Sequence, residues 1–531
     1  MEAGQVQQLE IPERKPIIAV KFATVETPEQ TPTHLLGWLP LLWTHVLFPA
    51  GRPAPGPWHW QPFIVLFLLS GLLLYPCVSF HLFEPDEGRY AQIPREMLTH
   101  GEWLIPTLQG EPYLDKPPLF YWLVMLCYAL FGYHDGAARL VPALAMHATV
   151  LVTHVMGRRL VGDRSAFWGA VLLTVSPIFL GIGRLLVLDG LLSLWVTLAL
   201  LAAYLAQAER PLRLGWWTLA ALACGLGCLT KGPVALILLL APLLIQRFLV
   251  RTSAPISWRA WAGFGGIVLA LNLPWYLAVC MDVPEFAHHF LWQHNVQRFV
   301  EPFDHVRPVW FYGPILLFGL LPTLFLAWPM ARYLLSTEPA EAQRRCAGLG
   351  YLLLAGSSCF LFFSLAGSKL PTYILPAVPP FCLAAGCFVA RTSWYRSRRW
   401  IGLVTACWLL LACSHYIVIP LYARHRSPMN QPEAIHAWCD DPCVPVICFP
   451  RNVDSVAFYL GRDDFRTYRS KQMQELLHQL QQQPRTVILF AHRNSPGTLA
   501  EHLPPQMRMQ RRTLGLCEMA VIEKMSNAPS P

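Results

Sequence analysis

Long apolar runs, separated by short polar connections, dominate the chain from residue 62 onward. An α-helix needs about 20 mostly apolar residues to cross a bilayer, and the first run, from Pro62 to Leu82, reaches that length. Further runs of similar length lie at 137–158, 164–183, 188–206, 213–230, 232–250, 260–281, 309–330, 347–367, 371–390 and 400–421. This pattern predicts an all-α polytopic membrane protein with about eleven transmembrane helices, or about thirteen if one pair of spans is merged.

The two ends of the chain break this pattern. Residues 1–60 are rich in Pro and mixed in charge, so we expect a cytoplasmic leader that is mostly disordered. Beyond residue 422, short apolar segments and an amphipathic stretch predict a small α/β domain at 423–531, which leaves 61–422 as the membrane domain. The strands are predicted at Pro445–Phe449, Thr486–Ala491 and Met519–Lys524, and a helix at Lys471–Gln483.

The distribution of charge predicts the topology. Only 14% of the residues are charged, whereas a soluble protein carries about a quarter. Arginine clusters occupy alternate connections, as in cytoplasmic loops, so the net charge of +9 indicates membrane topology and not nucleic-acid binding. Residues 83–136 and the tail then face outward, provided that Pro118–Phe131, too short to cross upright, forms a juxtamembrane helix. The arginine clusters lie at 158–164, 210–213, 247–259, 332–345 and 391–399.

The large external loop at 83–136 carries the most distinctive polar residues. Ionisable groups placed where the hydrocarbon region begins are costly, and they mark functional sites. The other unusual polar motifs fall in connections predicted on the same outward side, so we expect one composite site for a charged lipid headgroup. The residues crowded in the first part of this loop are Glu84, Asp86, Glu87, Arg89, Tyr90, Tyr113, Asp115 and Lys116.

Two elements of this loop resemble a known family. The segment FEPDEGRYAQIPREM, followed by GEWLIPTLQGEPYLDKPPLFYWL, is similar to the first external loop of GT-C type membrane glycosyltransferases. The family most similar is that of the 4-amino-4-deoxy-L-arabinose lipid A transferases and the bacterial dolichyl-phosphate-mannose-protein mannosyltransferase-like proteins. Supporting motifs follow in order within residues 80–390, namely GRLLVLDGLL, LTKGPV, HNVQRF and SKLPTYILP.

The resemblance implies an integral membrane enzyme of the bacterial inner membrane. Such an enzyme moves a sugar from a polyprenyl-phosphate carrier to an acceptor on the periplasmic face. The acceptor is a lipid A-like molecule, another envelope glycan or lipid, or a protein hydroxyl. A transporter or flippase for a polyprenyl-linked substrate and a headgroup sensor are the non-enzymatic alternatives. The polar groups gather on one side of the predicted spans, and this favours chemistry at one face over alternating access.

The reaction needs a base for the acceptor and positive charge for the departing phosphate. By resemblance, Asp86 is the catalytic acidic residue, and the displacement would proceed with inversion. Arg89, one helical turn further on, would offer a planar fork to the phosphate, and Lys116 would offer a point charge. Lys231 and Tyr373 are expected to add donor contacts from distant connections.

The remaining candidates would contact the sugar, the acceptor or a metal ion. Asp115 and His294 could ligate a divalent cation, although two protein ligands make a thin site and Glu84 or Glu87 would have to help. No cofactor is otherwise expected. The residues predicted to contact the sugar or acceptor are Glu84, Glu87, Tyr90, Tyr113, Asp189 and Arg298.

Overall fold

The computed structural model describes residues 56–525, apart from 76–77, 209, 250–253, 303, 492–493 and 515–516. The predicted leader therefore lies, up to residue 55, outside the described residues. The α-helices of more than four residues up to residue 426 are α1 (Trp60–Leu74), α2 (Asp86–His100), α3 (Leu119–Phe131), α4 (Asp135–Val161), α5 (Asp163–Thr174), α6 (Leu188–Gln207), α7 (Leu214–Lys231), α8 (Val234–Leu249), α9 (Trp258–Asp282), α10 (Tyr312–Gly319), α11 (Ala327–Leu335), α12 (Leu349–Leu365), α13 (Val378–Arg391), α14 (Arg398–Cys413) and α15 (Ile419–Arg426).

Several of these helices are apolar and long enough to cross a membrane. Within the described residues, five helical segments meet that condition by length and composition, and one bent pair would make a sixth. The protein is therefore a multi-pass membrane protein with a mostly helical fold, as predicted. The five segments are Asp135–Val161, Leu188–Gln207, Trp258–Asp282, Pro371–Arg391 and Arg398–Arg426.

The helices pack into a bundle around a shared apolar core. Helix α6 packs between α4 and α7, and α13 packs along α5. The α5–α13 contact depends on glycine, because a Cβ on Gly386 would lie 2.4 Å from the backbone nitrogen of Gly169. Small residues at helix crossings let two backbones approach closely, which strengthens packing where the surrounding solvent is lipid.

Three predicted spans are interrupted in the structure. In the run predicted at 164–183, the α-helix ends at Thr174 and a π-helix follows at Pro177–Ile182. The run predicted at 62–82 is helical only as far as Leu74, and the carbonyls of Val78 and His81 instead accept hydrogen bonds from the buried Arg139 side chain. The run predicted at 309–330 forms two helical segments that are bent by 97° at residues 320–322. Pro322 lies at this break, and a proline cannot donate the backbone hydrogen bond that a continuous helix requires.

The short helix α3 covers the same part of the sequence as the predicted juxtamembrane helix, Pro118–Phe131, and Pro118 is its N-cap. Before it, the external loop contains a small antiparallel hairpin of β1 (Thr107–Leu108) and β2 (Glu111–Pro112). Helices α2 and α3 pack against each other and against α4. The loop is thus a folded layer on one end of the bundle.

The C-terminal region forms a five-stranded sheet with flanking helices, in agreement with the predicted α/β domain. The strand order is β4-β3-β5-β7-β6, in which β3 pairs in parallel with β4 and β5, and β7 pairs antiparallel with β5 and β6. The exact boundary at residue 423 stays a prediction. The elements are α16 (Pro432–Cys439), β3 (Val446–Phe449), α17 (Asp454–Leu460), β4 (Arg466–Thr467), α18 (Met473–Gln482), β5 (Arg485–Phe490), α19 (Ser495–Ala500), β6 (Met507–Leu514) and β7 (Cys517–Lys524).

Candidate active site

Helix α2 carries the acidic motif at its first turn. Asp86 and Glu87 are the first two residues of the helix, where the positive end of the helix dipole stabilises carboxylates. Gly101 ends the helix with φ of 69°, a left-handed conformation that glycine adopts without strain. The sequence between Phe83 and Gly101 therefore forms one short helix that presents its N-terminal acids to the neighbouring bundle.

Most of the predicted site residues line one cavity of about 350 Å³. The cavity brings together the start of α2, the loop before α3, the start of α6, the end of α7 and the turn before α13. These segments are separated by up to 290 positions in the chain, so the fold alone assembles them. The predicted residues among its walls are Glu84, Asp86, Glu87, Tyr90, Lys116, Asp189, Lys231 and Tyr373.

Asp86 has an accessible carboxylate. Its side chain is 46% exposed, and one oxygen lies 3.9 Å from Nη1 of Arg89. Arg89 also hydrogen-bonds Tyr113, and neither residue is among those that line the cavity. The loose ion pair leaves the Asp86 carboxylate available to a molecule that enters the cavity, while Arg89 supports it from the side.

Lys116 places an ammonium group in the same cavity. Its Nζ donates to the Asp115 carbonyl at 3.0 Å and lies 2.6 Å from Nε2 of His294. Burial lowers the pKa of Lys116 to about 7, and the cations of Lys231 and Arg298 act in the same direction, against the opposing effect of Asp115. An entering phosphate would stabilise the protonated form, so the site favours an anionic ligand.

Lys231 supplies the second cation of the cavity. It forms a salt bridge with Asp189, whose other carboxylate oxygen accepts a hydrogen bond from Thr372 at 2.9 Å. The Lys231 ammonium also lies 3.9 Å from the centre of the Tyr373 ring, within the range of a cation–π contact. Asp189 and Tyr373 therefore hold Lys231 in place at the wall of the cavity.

Asp115 is the centre of a group that could bind a metal ion. The ligand atoms of Asp115, His289 and His294 all lie within 4.8 Å of one another. One Asp115 oxygen lies 3.0 Å from Nε2 of His289 and 3.8 Å from Nδ1 of His294. Two imidazoles and a carboxylate are a donor set that Zn²⁺ accepts, with a fourth position left for another ligand.

The surroundings of this trio fit a cation in part. Burial alone would raise the pKa of Asp115, but His294 and Lys116 lower it to about 2 and keep it ionised. Arg298 Nη1 lies 3.0 Å from His294 Nε2 and pairs with Asp304. Lys116 and Arg298 both approach Nε2 of His294, so a neutral His294 carries its proton on Nδ1, which faces Asp115, and a metal ion that binds there has to displace this proton. Glu84 and Glu87, the predicted helpers, have other partners.

Glu87 is held by a buried arginine. Arg139 donates to both Glu87 oxygens, at 2.9 and 2.6 Å, and the two side chains are 1% and 2% exposed. Glu87 also accepts from the backbone of Phe83 and Leu186. Arg139 counters the effect of burial and lowers the pKa of Glu87. These bonds join the start of α2 to α4 and to the segment before α6.

Glu84 joins the site to the C-terminal domain. One of its oxygens accepts a 2.6 Å hydrogen bond from the backbone of Ser455, in the first turn of α17, and the other is buried without a partner. Helix α17 comes so close that a Cβ on Gly88 would lie 2.5 Å from the Ser455 nitrogen. Burial, reinforced by Asp454, raises the pKa of Glu84 to about 8.

Further contacts fix α2 against the domain. Gln92 and Arg95 both donate to the Arg462 carbonyl at 2.7 Å, and the Tyr459 hydroxyl accepts from the Leu82 backbone at 3.0 Å. The helix that carries Asp86 is therefore packed between the bundle and the sheet domain. Sequence reasoning missed His289 of the metal trio, Thr372, which bonds Asp189, and the residues around Glu84 and Glu87, namely Arg139, Asp454 and Ser455.

Comparisons with known proteins identify relatives of this chain. Residues 58–290 match the family model of dolichyl-phosphate-mannose-protein mannosyltransferase. The undecaprenyl phosphate-α-4-amino-4-deoxy-L-arabinose arabinosyl transferase of Shewanella sediminis is 34% identical over 71% of this chain and 67% of its own length. The enzyme of the same name from Edwardsiella ictaluri is 35% identical over 63% of this chain, which spans 60% of that relative.

A solved structure shares the fold. The crystal structure of ArnT from Cupriavidus metallidurans bound to undecaprenyl phosphate matches 87% of this chain and 98% of its own, with a TM-score of 0.71 and 19% sequence identity. The shared fold is that of the GT-C class of multi-pass membrane proteins. Within that class, the chain belongs to the family of the undecaprenyl phosphate-α-4-amino-4-deoxy-L-arabinose arabinosyl transferases.

Proposed function

We propose that this protein transfers a sugar from a polyprenyl-phosphate carrier to a lipid or glycan of the cell envelope. The observation that carries the proposal is the shared cavity, in which an accessible carboxylate, Asp86, faces two lysines, Lys116 and Lys231. The names of the relatives support undecaprenyl phosphate as the carrier and 4-amino-4-deoxy-L-arabinose as the sugar. A lipid A-like acceptor, the inner membrane and a periplasmic site are part of the same proposal.

The chemistry follows from the arrangement of charges. Asp86 takes the proton of the acceptor hydroxyl, or orients an acceptor that is already ionised, for attack on the anomeric carbon from the face opposite the carrier phosphate. The bond to that phosphate breaks with inversion at the sugar. Lys116 and Lys231 stabilise the negative charge that stays on the polyprenyl phosphate, and the apolar cavity walls strengthen this attraction by excluding water.

The two charged partners of the reaction differ in how firmly their neighbours hold them. Asp86 has only the loose ion pair with Arg89, whereas Lys231 is held by Asp189, which Thr372 hydrogen-bonds, and by the Tyr373 ring. One phosphate-binding cation is therefore fixed before the substrates enter, and the base stays accessible.

The remaining residues position the helix or add contacts. Glu87 and Glu84 position the start of α2, and Tyr90 remains a candidate contact for the sugar or acceptor. Asp115, His289 and His294 would hold a divalent ion, which supplies positive charge for the donor phosphate.

Replacement of Asp86 tests the proposal. Asp86→Asn preserves the size of the side chain and removes the base, so transfer from undecaprenyl phosphate-linked aminoarabinose should fall about 100- to 10,000-fold. Binding of undecaprenyl phosphate should change little. Glu111→Gln is the matched control, because Glu111 is an exposed acid of the same loop outside the cavity. Full transfer by Asp86→Asn would refute the role of Asp86 as base.

A protein acceptor is the second candidate, because the matching family model describes protein mannosyltransferases. Mass spectrometry of envelope lipids and of envelope proteins, from cells with and without this protein, separates the two. The proposal expects a mass increase of one sugar on a lipid fraction. An increase confined to glycopeptides would favour the protein acceptor.

A further inference from the structure

A second cavity opens between the membrane bundle and the C-terminal domain. This interdomain cleft has a volume of about 120 Å³, and Phe83 and Glu84 line both it and the catalytic cavity. Arg426, from the end of α15, and Arg451, from the loop after β3, line the cleft as well. The segment that precedes Asp86 therefore separates two cavities, and the proposed sugar transfer takes place in only one of them.

The polar groups of the cleft suit a phosphate. Arg426 and Arg451 are exposed, and guanidinium groups bind phosphate through paired N–H donors. Asn452 adds a side-chain amide, which donates to Asp454. Glu84 does not oppose an anion at neutral pH, because burial and the neighbouring Asp454 raise its pKa to about 8 and keep it largely protonated. The volume equals that of about four water molecules, enough for one phosphate group.

The cleft also lies where a lipid headgroup would be. Arg426 is the last residue of the candidate span Arg398–Arg426. Within the most apolar 18-residue stretch of this span, only 11% is buried in the protein. Leu410, Val418 and Leu421 are more than half exposed along this span. An acyl chain that packs on this apolar face would present its headgroup at Arg426, where basic residues attract phosphate at a membrane surface.

We propose that the interdomain cleft binds a phosphate group of the acceptor lipid, while the reacting group of the same headgroup enters the catalytic cavity across the Phe83–Glu84 wall. The proposal rests on the proposed function and adds a recognition site to it: the acceptor is a lipid whose headgroup carries a phosphate in addition to its reacting group. Arg426 and Arg451 then determine acceptor selection, without a part in the bond exchange.

The test uses the full chain in lipid nanodiscs and the double variant Arg426→Gln/Arg451→Gln. The probes are bisphosphorylated lipid A, its enzymatically dephosphorylated form, phosphatidylglycerol and inorganic phosphate. We expect the double variant to weaken binding of bisphosphorylated lipid A about tenfold or more, and to raise the KM for it without a comparable fall in kcat. Binding of the dephosphorylated form, and of undecaprenyl phosphate, should not change.

Arg424→Gln is the matched control. Arg424 is an exposed arginine of the same helix that does not line the cleft, and its removal should leave all four affinities unchanged. The proposal fails if the double variant binds bisphosphorylated lipid A normally, or if it loses the dephosphorylated form equally. It also fails if phosphatidylglycerol or inorganic phosphate binds the wild-type cleft as tightly as lipid A, because the cleft would then serve general anionic lipid or free phosphate.

The binding measurement does not depend on catalysis. If the wild-type protein binds bisphosphorylated lipid A through the two arginines but transfers no aminoarabinose to it, the proposed reaction fails and the phosphate site stands. If transfer occurs and the double variant keeps the wild-type KM and affinity, the reaction stands and the phosphate site fails.

Discussion

The buried carboxyl of Glu84 makes the stability of the site sensitive to pH. Its pKa in the folded protein is raised to about 8 by burial, with Asp454 acting in the same direction and Ser455 and Arg89 against it. The folded protein therefore keeps a proton that the unfolded chain loses at about pH 4 to 5. The contribution of this group to stability is full below that pH and declines as the pH rises to about 8.

We expect the apparent Tm of the detergent-solubilised protein to fall between about pH 5 and 8, and Glu84→Gln to reduce that slope. The amide keeps an acceptor for the Ser455 backbone and removes the titration. Glu111→Gln, at an exposed carboxylate, should leave the slope unchanged. Equal slopes for wild type and Glu84→Gln would show that Glu84 is not the titrating group.

The trio of Asp115, His289 and His294 predicts a metal-dependent stabilisation. Addition of Zn²⁺ to metal-free protein should raise its apparent Tm, because an ion that binds only the folded state stabilises it. In His289→Gln and in His294→Gln, the zinc concentration that gives the same rise in Tm should be about tenfold higher or more. His288→Gln is the control, since His288 is exposed and outside the trio. A response that survives in both test variants would place the metal elsewhere.

His289 also shows why a residue of the site can escape prediction. Sequence patterns assume about 3.6 residues per turn, and residues five positions apart then lie about 140° apart on the helix. The segment His288–Gln297 is a π-helix, whose bonds join residues five positions apart. His289 and His294 are therefore brought to the same side. Asp86 and Lys116 could be chosen as candidates because their motif is local and specific, and both line the cavity.

At the scale of elements, the apolar runs predicted most helices and three of the five strands of the C-terminal sheet. One exception occurs where a buried polar group determines the backbone path. Arg139 holds the carbonyls after α1, so the predicted first span is shorter than its apolar run. The nearby sequence gives no sign of this, because Arg139 lies 61 residues from Val78 in the chain.

The contact between α2 and α17 gives a prediction for Gly88. A Cβ at this position would lie 2.5 Å from the Ser455 nitrogen and 2.7 Å from Glu84 Oε1, and neither backbone nor a bonded carboxyl can move away cheaply. Gly88→Ala should therefore destabilise the protein by about 1–3 kcal/mol, as overpacking of a dense contact does. It should also lower transfer activity, because α2 carries Asp86. Thermal unfolding and a transfer assay measure the two effects.

Gly497→Ala is the matched control for Gly88→Ala. Gly497 lies in a short helix of the same C-terminal domain, and a Cβ added there would meet no neighbouring atom within 4 Å. This substitution should leave stability and activity unchanged or slightly improved. Wild-type Tm and activity in Gly88→Ala would mean that α17 can shift without cost and does not position α2.

At the scale of the whole molecule, the sheet domain packs against helix α2, whose first turn lines the cavity of the membrane bundle. The hydrogen bond between Glu84 and Ser455 joins residues 371 positions apart. The sequence predicted both parts from their separate patterns, but contacts at such separation leave no periodic signal in one chain. Helix α2 thus depends on the C-terminal domain for its position, and both must lie on the same side of the membrane.

That shared side gives the last prediction. The arginine clusters predict that residues 83–136 and the C-terminal domain face the periplasm. Cys443 is an exposed thiol of this domain, whereas Cys413, also exposed, lies within a candidate span. A membrane-impermeant maleimide should label the protein in intact spheroplasts, and Cys443→Ser should remove most of that label. Labelling of Cys443 only after the membrane is broken would put the site on the cytoplasmic side, where the proposed reaction could not reach an acceptor of the outer leaflet.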